Sequence, residues 1–437
     1  MKVNFISFGC KVNQYETECI KQAFRNNNYI ITENKSDADV YIINSCTVTS
    51  SSDNKVFQCI KRLRNDNPLS LIVLTGCFPQ AFIDEAKKIK EADIITGTKN
   101  RLEILSLVNK ALAHKNPDKI VNISDFDGNE LLEDMACTEF TEKTRAFVKI
   151  QDGCNQFCSY CIIPYARGRI RSKPINTLKK EILILAENGH KEIVLVGINL
   201  AFYGSEIGLR LIDAVEACAE IKGIERIRLG SLEPEKISDE DLKRLAKIPQ
   251  FCPHFHLSLQ SGCDKTLKEM NRKYTTAEYM DLVNKIRESF PDASITTDVM
   301  VGFPNESNED FEQSLAFVEK VGFSRIHVFP YSKRDGTVAA KRPNQIPDNI
   351  KNIRAKKMTD AAKKSMNNFL DSQVGKIYPV LFEKESCTNF HQGYTPNYTL
   401  VKIPAKNGEK SLRRMIFYVK ITKCENNYCL GNIIQNP

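Results

Sequence analysis

The chain contains a CxxxCxxC triplet, Cys154-Asn155-Gln156-Phe157-Cys158-Ser159-Tyr160-Cys161. We take this stretch as a loop that follows a β-strand, and the pattern around that strand indicates the fold. A structural zinc site usually has four protein ligands, yet no His and no further Cys lies between Arg145 and His190. A three-cysteine loop that holds an iron–sulfur cluster leaves one iron open to a small molecule. The triplet therefore predicts a reactive cluster, and the alternatives that stay open are a zinc knuckle and a chance clustering of cysteines.

A repeating strand–helix pattern surrounds this loop. Strands are predicted at 146–151, 192–197, 225–230, 254–259, 294–301 and 324–329, and helices at 176–188, 208–221, 238–247, 276–290 and 307–320. Six such units predict an open (β/α)6 barrel, whose active site is expected at the C-terminal ends of the strands. The CxxxCxxC loop directly follows the first of these strands, where reactive groups are expected.

A second set of three cysteines lies upstream, and each of Cys10, Cys46 and Cys77 ends an apolar run. Strands predicted at 3–8, 40–43, 71–75 and 94–96 alternate with helical patterns at 12–26, 53–65 and 80–90, which predicts a small α/β domain with a largely parallel sheet. Because ligands of such sheets collect at the carboxyl ends of the strands, we expect the three cysteines to share one edge. Three buried structural thiols are the alternative.

The last quarter of the chain differs in both pattern and charge. Residues 341–437 carry 17 Lys and Arg against 7 Asp and Glu, so they account for all of the net charge of +8. Short β-type runs at 377–382, 398–403, 415–421 and 430–434 predict a small OB-like β-barrel. A basic barrel indicates a nucleic-acid partner, although a solvated lysine-rich face is the alternative. The predicted RNA-binding residues are Lys402, Lys406, Arg413 and Arg414.

These patterns predict an α/β protein of five segments: an N-terminal α/β domain (1–112), a linker (113–143), the open barrel (144–340), a basic helical connector (341–369) and the C-terminal β-barrel (370–437). No stretch approaches the roughly 18 apolar residues that span a membrane, and the N-terminus lacks the apolar core of a signal peptide. We therefore expect a cytoplasmic protein with no membrane partner. Its 15 cysteines are expected to be thiols or metal ligands rather than disulfides.

The CxxxCxxC spacing resembles the signature of radical S-adenosylmethionine (SAM) enzymes, in which three cysteines hold a 4Fe-4S cluster and SAM binds the fourth iron. The resemblance implies this role for Cys154, Cys158 and Cys161, with Tyr160 against the adenine. Further predicted SAM contacts are glycines and polar residues at predicted strand ends: Gly197, Asn199, Ser231, Glu233, Gln260, Asp298 and Gly302. For any one of them, the alternative is that it only terminates a strand.

Other stretches carry a closer resemblance. Gly9-Cys10-Lys11-Val12-Asn13-Gln14, Asn44-Ser45-Cys46-Thr47-Val48 and Thr75-Gly76-Cys77 resemble the N-terminal domain of the methylthiotransferases, and Ile163-Pro164-Tyr165-Ala166-Arg167-Gly168-Arg169 resembles the end of their radical SAM loop. The final segment is similar to their RNA-binding TRAM domain. The Gly-Cys-Lys-Val-Asn-Gln stretch resembles the branch that acts on N6-threonylcarbamoyladenosine at position 37 of tRNA; the isopentenyladenosine branch more often has Gln-Met-Asn after its cysteine.

The resemblance implies two 4Fe-4S clusters, the second held by Cys10, Cys46 and Cys77. It also implies that one SAM would methylate a sulfur on this auxiliary cluster, and that a second SAM would yield the 5′-deoxyadenosyl radical that removes hydrogen from C2 of adenine, where the methylthio group would be inserted. No side chain is expected to be catalytic, because the clusters and SAM carry the chemistry. The implied partners are the anticodon loop of tRNA and an electron donor such as flavodoxin or ferredoxin.

Other functions stay open from the sequence. The near alternative is a methylthiotransferase that acts on N6-isopentenyladenosine in tRNA or on an aspartate of a ribosomal protein. The distant one is a non-catalytic iron–sulfur protein that binds RNA or senses redox state. Arg167, Arg169 and Arg171 are expected to neutralise either the carboxylate of SAM or the tRNA backbone, and a plain surface role is the alternative.

Overall fold

A six-stranded parallel sheet forms the N-terminal part of the computed structural model, which describes residues 1–34, 36–114, 118–140, 142–383, 389–405 and 410–435. Its strands are β1 (Lys2–Ser7), β2 (Ile30–Ile31), β3 (Val40–Ser45), β4 (Leu71–Gly76), β5 (Ile94–Thr96) and β6 (Ile120–Asn122). Their order is β2-β1-β3-β4-β5-β6. The helices here are α1 (Lys11–Asn26), α2 (Ser50–Asp66), α3 (Cys77–Ala81), α4 (Ile83–Lys87) and α5 (Ile104–Ala113). The predicted parallel α/β architecture is confirmed.

The carboxyl ends of the central strands of this sheet lie side by side. Every residue of β3 and β4 is buried, as expected for parallel strands that helices cover on both faces. Cys46 directly follows β3, Cys77 is the first residue of α3 after β4, and Cys10 is the N-cap residue of α1 after β1. The segment predicted as a linker contributes β6, which pairs with β5 at the edge of the sheet.

A second set of strands and helices follows. The strands are β7 (Ala146–Lys149), β8 (Gln151–Asp152), β9 (Arg171–Ser172), β10 (Glu192–Val196), β11 (Arg226–Leu229), β12 (Ser231–Leu232), β13 (His254–Leu257), β14 (Ser294–Val301) and β15 (Arg325–Pro330). The helices are α6 (Ile163–Arg167), α7 (Ile175–Glu187), α8 (Leu211–Ala219), α9 (Asp239–Leu245), α10 (Asp264–Glu269), α11 (Thr276–Ser289) and α12 (Asn308–Val321). Short 3-10 turns occur at Arg101–Glu103, Leu200–Phe202, Pro234–Lys236 and Ala339–Lys341.

These strands form the predicted open barrel. The parallel order is β7-β10-β11 in one part and β12-β13-β14-β15 in the other. Only Gly230 separates β11 from β12, so the two are one strand with a break, and the barrel has six strands in sequence order. The antiparallel pair β8–β9 closes the base of the CxxxCxxC loop. It escaped prediction because two-residue strands carry no periodic pattern.

The C-terminal part consists of a long helix, α13 (Asp348–Asp371), and a closed barrel. The barrel strands are β16 (Ile377–Phe382), β17 (Phe390–Tyr394), β18 (Leu400–Pro404), β19 (Ile416–Glu425) and β20 (Tyr428–Ile433), in the order β16-β17-β18-β20-β19. The OB-like prediction is confirmed. The sequence missed β17, because His391, Gln392 and Gly393 interrupt its apolar pattern.

A disulfide joins two strands of the C-terminal barrel. Cys424 and Cys429 face each other on β19 and β20 and form this bond, so the expectation that all cysteines are thiols or ligands is wrong for this pair. The sulfur atoms meet because the hairpin places the two residues opposite each other. None of the helices in the described ranges is long and apolar enough to cross a membrane.

Candidate functional site

The CxxxCxxC loop folds back on itself at the C-terminal end of β7. We call Cys154, Cys158 and Cys161 the loop triplet. The N–H of Cys154 donates to the Gly168 carbonyl at 3.0 Å, and that of Cys161 donates to the Cys158 carbonyl at 2.9 Å. Gly153 has a φ of +74°, and a Cβ there would lie 1.8 Å from the Arg169 carbonyl oxygen. Only glycine at position 153 therefore allows the start of the loop to pack against the backbone of Arg169, where the chain leaves the loop.

Hydrogen-bond donors surround the loop triplet. The Asn199 amide Nδ2 lies 3.4 Å from Cys154 Sγ, and Arg272 Nη1 lies 3.4 Å from Cys158 Sγ. Burial raises the pKa of the Cys158 thiol, and the nearby Arg272 charge opposes that shift. Donors aimed at sulfur stabilise cluster-bound thiolates, which accumulate negative charge.

Three further cysteines come together at the carboxyl ends of strands β1, β3 and β4 of the N-terminal sheet. We call Cys10, Cys46 and Cys77 the strand-end triplet. Gly9 has a φ of +103°, and a Cβ there would lie 2.7 Å from Cys46 Cβ, so the turn before Cys10 packs directly on Cys46. Burial raises the pKa of Cys77 to about 12, and the charge of Arg167, whose Nε lies 3.2 Å from Cys77 Sγ, acts in the opposite direction.

The chemistry of the donors indicates which metal group each triplet fits. Among the described residues, no three Cys, His, Asp or Glu side chains converge closely enough to hold a single ion. In a 4Fe-4S cluster each thiolate binds a different iron, so its ligands stand further apart than those of one zinc ion. Soft thiol donors in sets of three, with donors aimed at sulfur, fit such a cluster.

A cavity of about 160 Å³ lies beside the loop triplet. Tyr160 and Cys161 line it from the CxxxCxxC loop, and Val48 lines it from the segment after the middle cysteine of the strand-end triplet. Gln260 and Asp298 line it from the barrel. Larger grooves of about 720 and 570 Å³ exist elsewhere, but no cysteine lines them. Of these three cavities, the smaller one is therefore the one that reaches a cysteine of either triplet, at Cys161.

Two unpartnered polar atoms, one on a residue that lines this cavity and one on a residue beside Cys154, fit a polar ligand. Asn199 Oδ1 and Gln260 Oε1 are buried without a hydrogen-bond partner among the described residues. Gln260 also has a φ of +66°, a conformation that non-glycine residues seldom adopt and that is common at ligand sites. Two buried acceptors suit the amino and hydroxyl donors of SAM, because leaving them unpaired is costly.

The remaining predicted SAM contacts lie at strand ends with differing surroundings. Glu233 accepts hydrogen bonds from Arg272, and burial raises its pKa against the opposing effect of that guanidinium. Gly197 packs on Gln151, since a Cβ there would lie 2.7 Å from Gln151 Oε1. Ser231 is exposed. Gly302 packs against Lys351 of α13, where a Cβ would lie 2.4 Å from Lys351 Cγ.

The predicted RNA-binding residues lie in different environments. Arg414 donates to the carbonyls of Phe140 at 3.0 Å and Asn188 at 3.2 Å, so its guanidinium holds the C-terminal barrel on the core. Lys402 lies over the Tyr428 ring, 4.0 Å from its centroid. Arg413 is half-buried beside Arg414. Lys406 lies outside the described residues.

Two arginines lie directly at the thiols. Arg272, between α10 and α11, was missed because no local pattern links it to a loop more than 100 residues upstream. Arg167 was expected to bind SAM or tRNA rather than Cys77. Its position in the Ile163–Arg167 stretch indicates a role near the loop, yet only the packing of two domains brings it to that sulfur.

Known proteins share this fold and these motifs. Residues 148–318 match the Radical SAM superfamily, and residues 2–97 match Uncharacterized protein family UPF0004. The chain resembles the radical SAM methyltransferase TsrM of Kitasatospora setae, with a TM-score of 0.58 over 78% of this chain and 74% of that one. At 12% identity, that likeness shows the fold alone.

Two relatives match almost throughout. Threonylcarbamoyladenosine tRNA methylthiotransferase MtaB of Bacillus subtilis is 36% identical over 99% of this chain and 96% of its own length. The tRNA-2-methylthio-N(6)-dimethylallyladenosine synthase of Caldicellulosiruptor saccharolyticus is 35% identical over 99% of this chain and 92% of its own. Radical SAM proteins use a 4Fe-4S cluster and SAM, and the loop triplet fits that need. The chain belongs to the family of radical SAM tRNA methylthiotransferases.

Proposed function

We propose that this enzyme inserts a methylthio group at C2 of N6-threonylcarbamoyladenosine at position 37 of tRNA. The observation that carries the proposal is the presence of two cysteine triplets, with Cys161 of one and Val48, two residues after Cys46 of the other, lining the same cavity. One open cluster is enough for a radical enzyme, but sulfur insertion needs a second position from which sulfur is delivered. When bound, the two clusters and SAM supply the methyl transfer, the hydrogen abstraction and the sulfur.

The loop triplet is assigned to the cluster that binds SAM. In this assignment Asn199 and Arg272 hold the thiols of Cys154 and Cys158 in orientation through hydrogen bonds of 3.4 Å. Gln260 offers a buried acceptor to the ligand, and Tyr160 forms one wall of the cavity. The apolar side chains around Tyr160 keep water from a reactive species.

The strand-end triplet is assigned to an auxiliary 4Fe-4S cluster. Its three cysteines come from three separate strand ends rather than from a single loop. Asn13 supports the assignment, because its side chain bonds the carbonyls of Phe8 and Ser45, next to two of the three cysteine turns.

The threonylcarbamoyl group differs from the isopentenyl group in carrying a carboxylate. Lys11, the residue after Cys10, is half-buried and forms no ion pair with any described residue. A half-buried lysine without an anionic partner favours a substrate that brings one. The relatives' names include both substrates at 36% and 35% identity, so the lysine is what favours threonylcarbamoyladenosine.

The C-terminal barrel is proposed to bind tRNA with Lys402, Lys406 and Arg413, while Arg414 fixes the barrel to the core. A basic surface binds the phosphate backbone and positions the anticodon loop. The reaction also needs a one-electron donor of the flavodoxin or ferredoxin kind. We place this activity in the cytoplasm, where tRNA is modified.

Mass spectrometry of tRNA nucleosides from a deletion strain tests the substrate. We expect 2-methylthio-threonylcarbamoyladenosine to disappear and its unmethylthiolated precursor to accumulate, with both reversed by the intact gene. Loss of the 2-methylthio-isopentenyladenosine signal instead would identify the other tRNA substrate. Unchanged levels of both nucleosides would reject the tRNA proposal.

Iron analysis separates the enzyme from a non-catalytic iron–sulfur protein. Anaerobically reconstituted protein should hold about eight irons per chain if both triplets carry 4Fe-4S clusters. It should also form 5′-deoxyadenosine from SAM under reducing conditions. About four irons and no cleavage of SAM would favour the sensor.

A further inference from the structure

Arg167 lies at the junction of the two triplets, and its side chain is fully buried. It is the last residue of α6, which follows the loop triplet directly. Helix α6 packs against α3, whose first residue is Cys77. Arg167 therefore lies in the part of the chain that forms the barrel, but its side chain contacts the strand-end triplet.

The Arg167 guanidinium is held in one orientation. Its Nε donates to Cys77 Sγ at 3.2 Å. Its Nη1 and Nη2 donate to the two carboxylate oxygens of Glu16 at 2.5 and 3.1 Å, which is a bidentate pair. Because the guanidinium fork is rigid, the contact with Glu16 also fixes the direction from Nε to the sulfur.

The same guanidinium reaches the other two cysteine turns through Asn13. Arg167 Nη2 donates to Asn13 Oδ1 at 2.9 Å, and Cys10 Sγ lies 3.5 Å from the same oxygen. The Asn13 amide donates to the Ser45 carbonyl at 2.9 Å, immediately before Cys46. One side chain thus connects all three turns of the strand-end triplet.

A further contact runs to the loop triplet. Arg167 Nη1 lies 3.4 Å from both carboxylate oxygens of Asp152. Asp152 Oδ1 accepts a hydrogen bond of 2.9 Å from the Gly153 N–H, and the next residue is Cys154. Arg167 is therefore bonded to the base of one triplet and to a thiol of the other.

The buried charges around Arg167 leave a positive surplus. Four cations and three carboxylates form this cluster of ion pairs: Arg101, Lys149, Arg167, Arg171, Glu16, Glu133 and Asp152. Carboxylates alone do not balance these cations, and buried charge without a counter-charge is costly. An anionic group bound to Cys77 is in position to offset the remaining charge.

We propose that Arg167 is a positioning residue for the auxiliary cluster: it donates to the Cys77 sulfur, raises the reduction potential of the cluster bound there, and fixes that cluster relative to the loop triplet. This inference rests on the second cluster of the proposed function. A hydrogen bond to a ligand sulfur withdraws negative charge and favours the reduced state, so its removal lowers the potential.

The test isolates the auxiliary cluster. A chain with Cys154→Ala, Cys158→Ala and Cys161→Ala retains only the strand-end triplet and should hold about four irons after anaerobic reconstitution. If this chain binds no iron, the second cluster of the proposed function is wrong. If it binds iron, its midpoint potential is measured by EPR-monitored redox titration.

Arg167 is then changed in that background in two ways. Arg167→Lys keeps the positive charge beside Glu16 and Asp152 but removes the Nε donor and the fork. Arg167→Gln combined with Glu16→Gln removes both partners of the buried pair, so that neither charge is left unpaired. Arg169→Gln is the matched control, because this arginine is exposed and lies over the Phe157 ring, 5.1 Å from its centroid.

We expect a more negative auxiliary potential in both Arg167 variants and an unchanged value in the control, with iron content and melting temperature retained in at least one variant. In the otherwise intact enzyme, the same variants should still cleave SAM to 5′-deoxyadenosine but lose most of the methylthiolated product. A potential equal to that of the starting chain in both Arg167 variants would overturn the inference. An equal shift in Arg169→Gln would overturn it as well.

Discussion

The loop triplet and the strand-end triplet reach similar surroundings by different routes. The first is contained in eight consecutive residues, whereas the second joins positions 10, 46 and 77 across a sheet edge. Each has one thiol in contact with a buried arginine that also pairs with a glutamate, at Cys158 and at Cys77. Similar electrostatic settings can therefore be built from a local motif or from topology.

The electrostatic environments of the two triplets differ at the glutamate that pairs with each arginine, Glu233 or Glu16. Burial raises the pKa of Glu233, beside Arg272, despite the opposing charge of that arginine. Burial also acts to raise the pKa of Glu16, but the charges of Arg101, Arg167 and Lys149 lower it to about 2. The strand-end triplet is thus embedded in a denser ionic network, which the junction of two domains supplies.

Single cysteine changes should separate the triplets most clearly. Cys158→Ala removes a ligand of the SAM cluster, so formation of 5′-deoxyadenosine and of methylthiolated product should both be abolished. Cys77→Ala removes a ligand of the auxiliary cluster, so product should be abolished while reductive cleavage of SAM persists. Both are measured by liquid chromatography of reaction mixtures with undermodified tRNA.

Cys59→Ser is the matched control, because Cys59 lies on α2 outside both triplets. It should retain both activities. If Cys77→Ala abolished SAM cleavage as strongly as Cys158→Ala does, the two triplets could not have separate roles.

Arg272→Gln should test the loop triplet alone. The change leaves Glu233 buried without its partner, which typically costs about 3–5 kcal/mol. We expect a lower free energy of unfolding and a loss of roughly half of the iron, about four atoms per chain. Urea unfolding and iron analysis measure the two effects.

Arg244→Gln provides the comparison, since Arg244 pairs with Asp213 and Glu216 at a partly exposed site. A surface pair of this kind contributes about 1 kcal/mol or less, and iron content should not change. Equal iron loss in both variants would show that Arg272 has no specific role at the loop.

Acid should weaken the strand-end network. The folded pKa of Glu16 is about 2, against an ordinary value of 4.5. Its ionised form therefore stabilises the fold above about pH 4.5, and this contribution, roughly 3 kcal/mol, is lost as the pH falls towards 2. Unfolding of the wild type and of Glu16→Gln, compared at about pH 6 and about pH 3.5, should show a stability difference that shrinks at the lower pH.

Glu319→Gln, an exposed position on α12, is the control for that comparison. The difference between this variant and the wild type should stay small at both pH values. A Glu16→Gln difference that does not change with pH would contradict the role assigned to the buried carboxylate.

The smallest effect concerns tRNA binding by the C-terminal barrel. Lys402→Ala with Arg413→Ala should weaken binding modestly and lower the slope of affinity against salt concentration by about one for each phosphate that the barrel no longer neutralises. Filter binding at several salt concentrations measures the slope. Arg62→Ala, an exposed arginine on α2, should leave the slope unchanged, and equal slopes in all three proteins would exclude the barrel as the docking surface.

The architecture was predictable because long strands and helices carry clear hydrophobic periods. The same approach missed β17 and the β8–β9 pair, whose short or interrupted patterns give no period. The sequence predicted that Cys10, Cys46 and Cys77 follow strand ends, and the structure places them there, while the ligand role of all six cysteines stays a prediction. Their charged neighbours were not predicted, since Arg272 and Glu16 reach the thiols through contacts between segments distant in the chain.

Arg414 illustrates the same limit. A basic residue in a basic tail indicates nucleic acid, yet its donors are used by backbone carbonyls of the core. Sequence composition gives the charge of a segment but not the direction in which each side chain points.

The contact between Arg167 and Cys77 also has a consequence for biosynthesis. The ribosome releases Cys10, Cys46 and Cys77 well before residue 167 has been made, because the chain grows from its N-terminus. The three thiols are then without the guanidinium that links their turns. Cluster delivery to a nascent chain would meet a looser and less positive site, so completion of the auxiliary site follows synthesis and docking of the barrel.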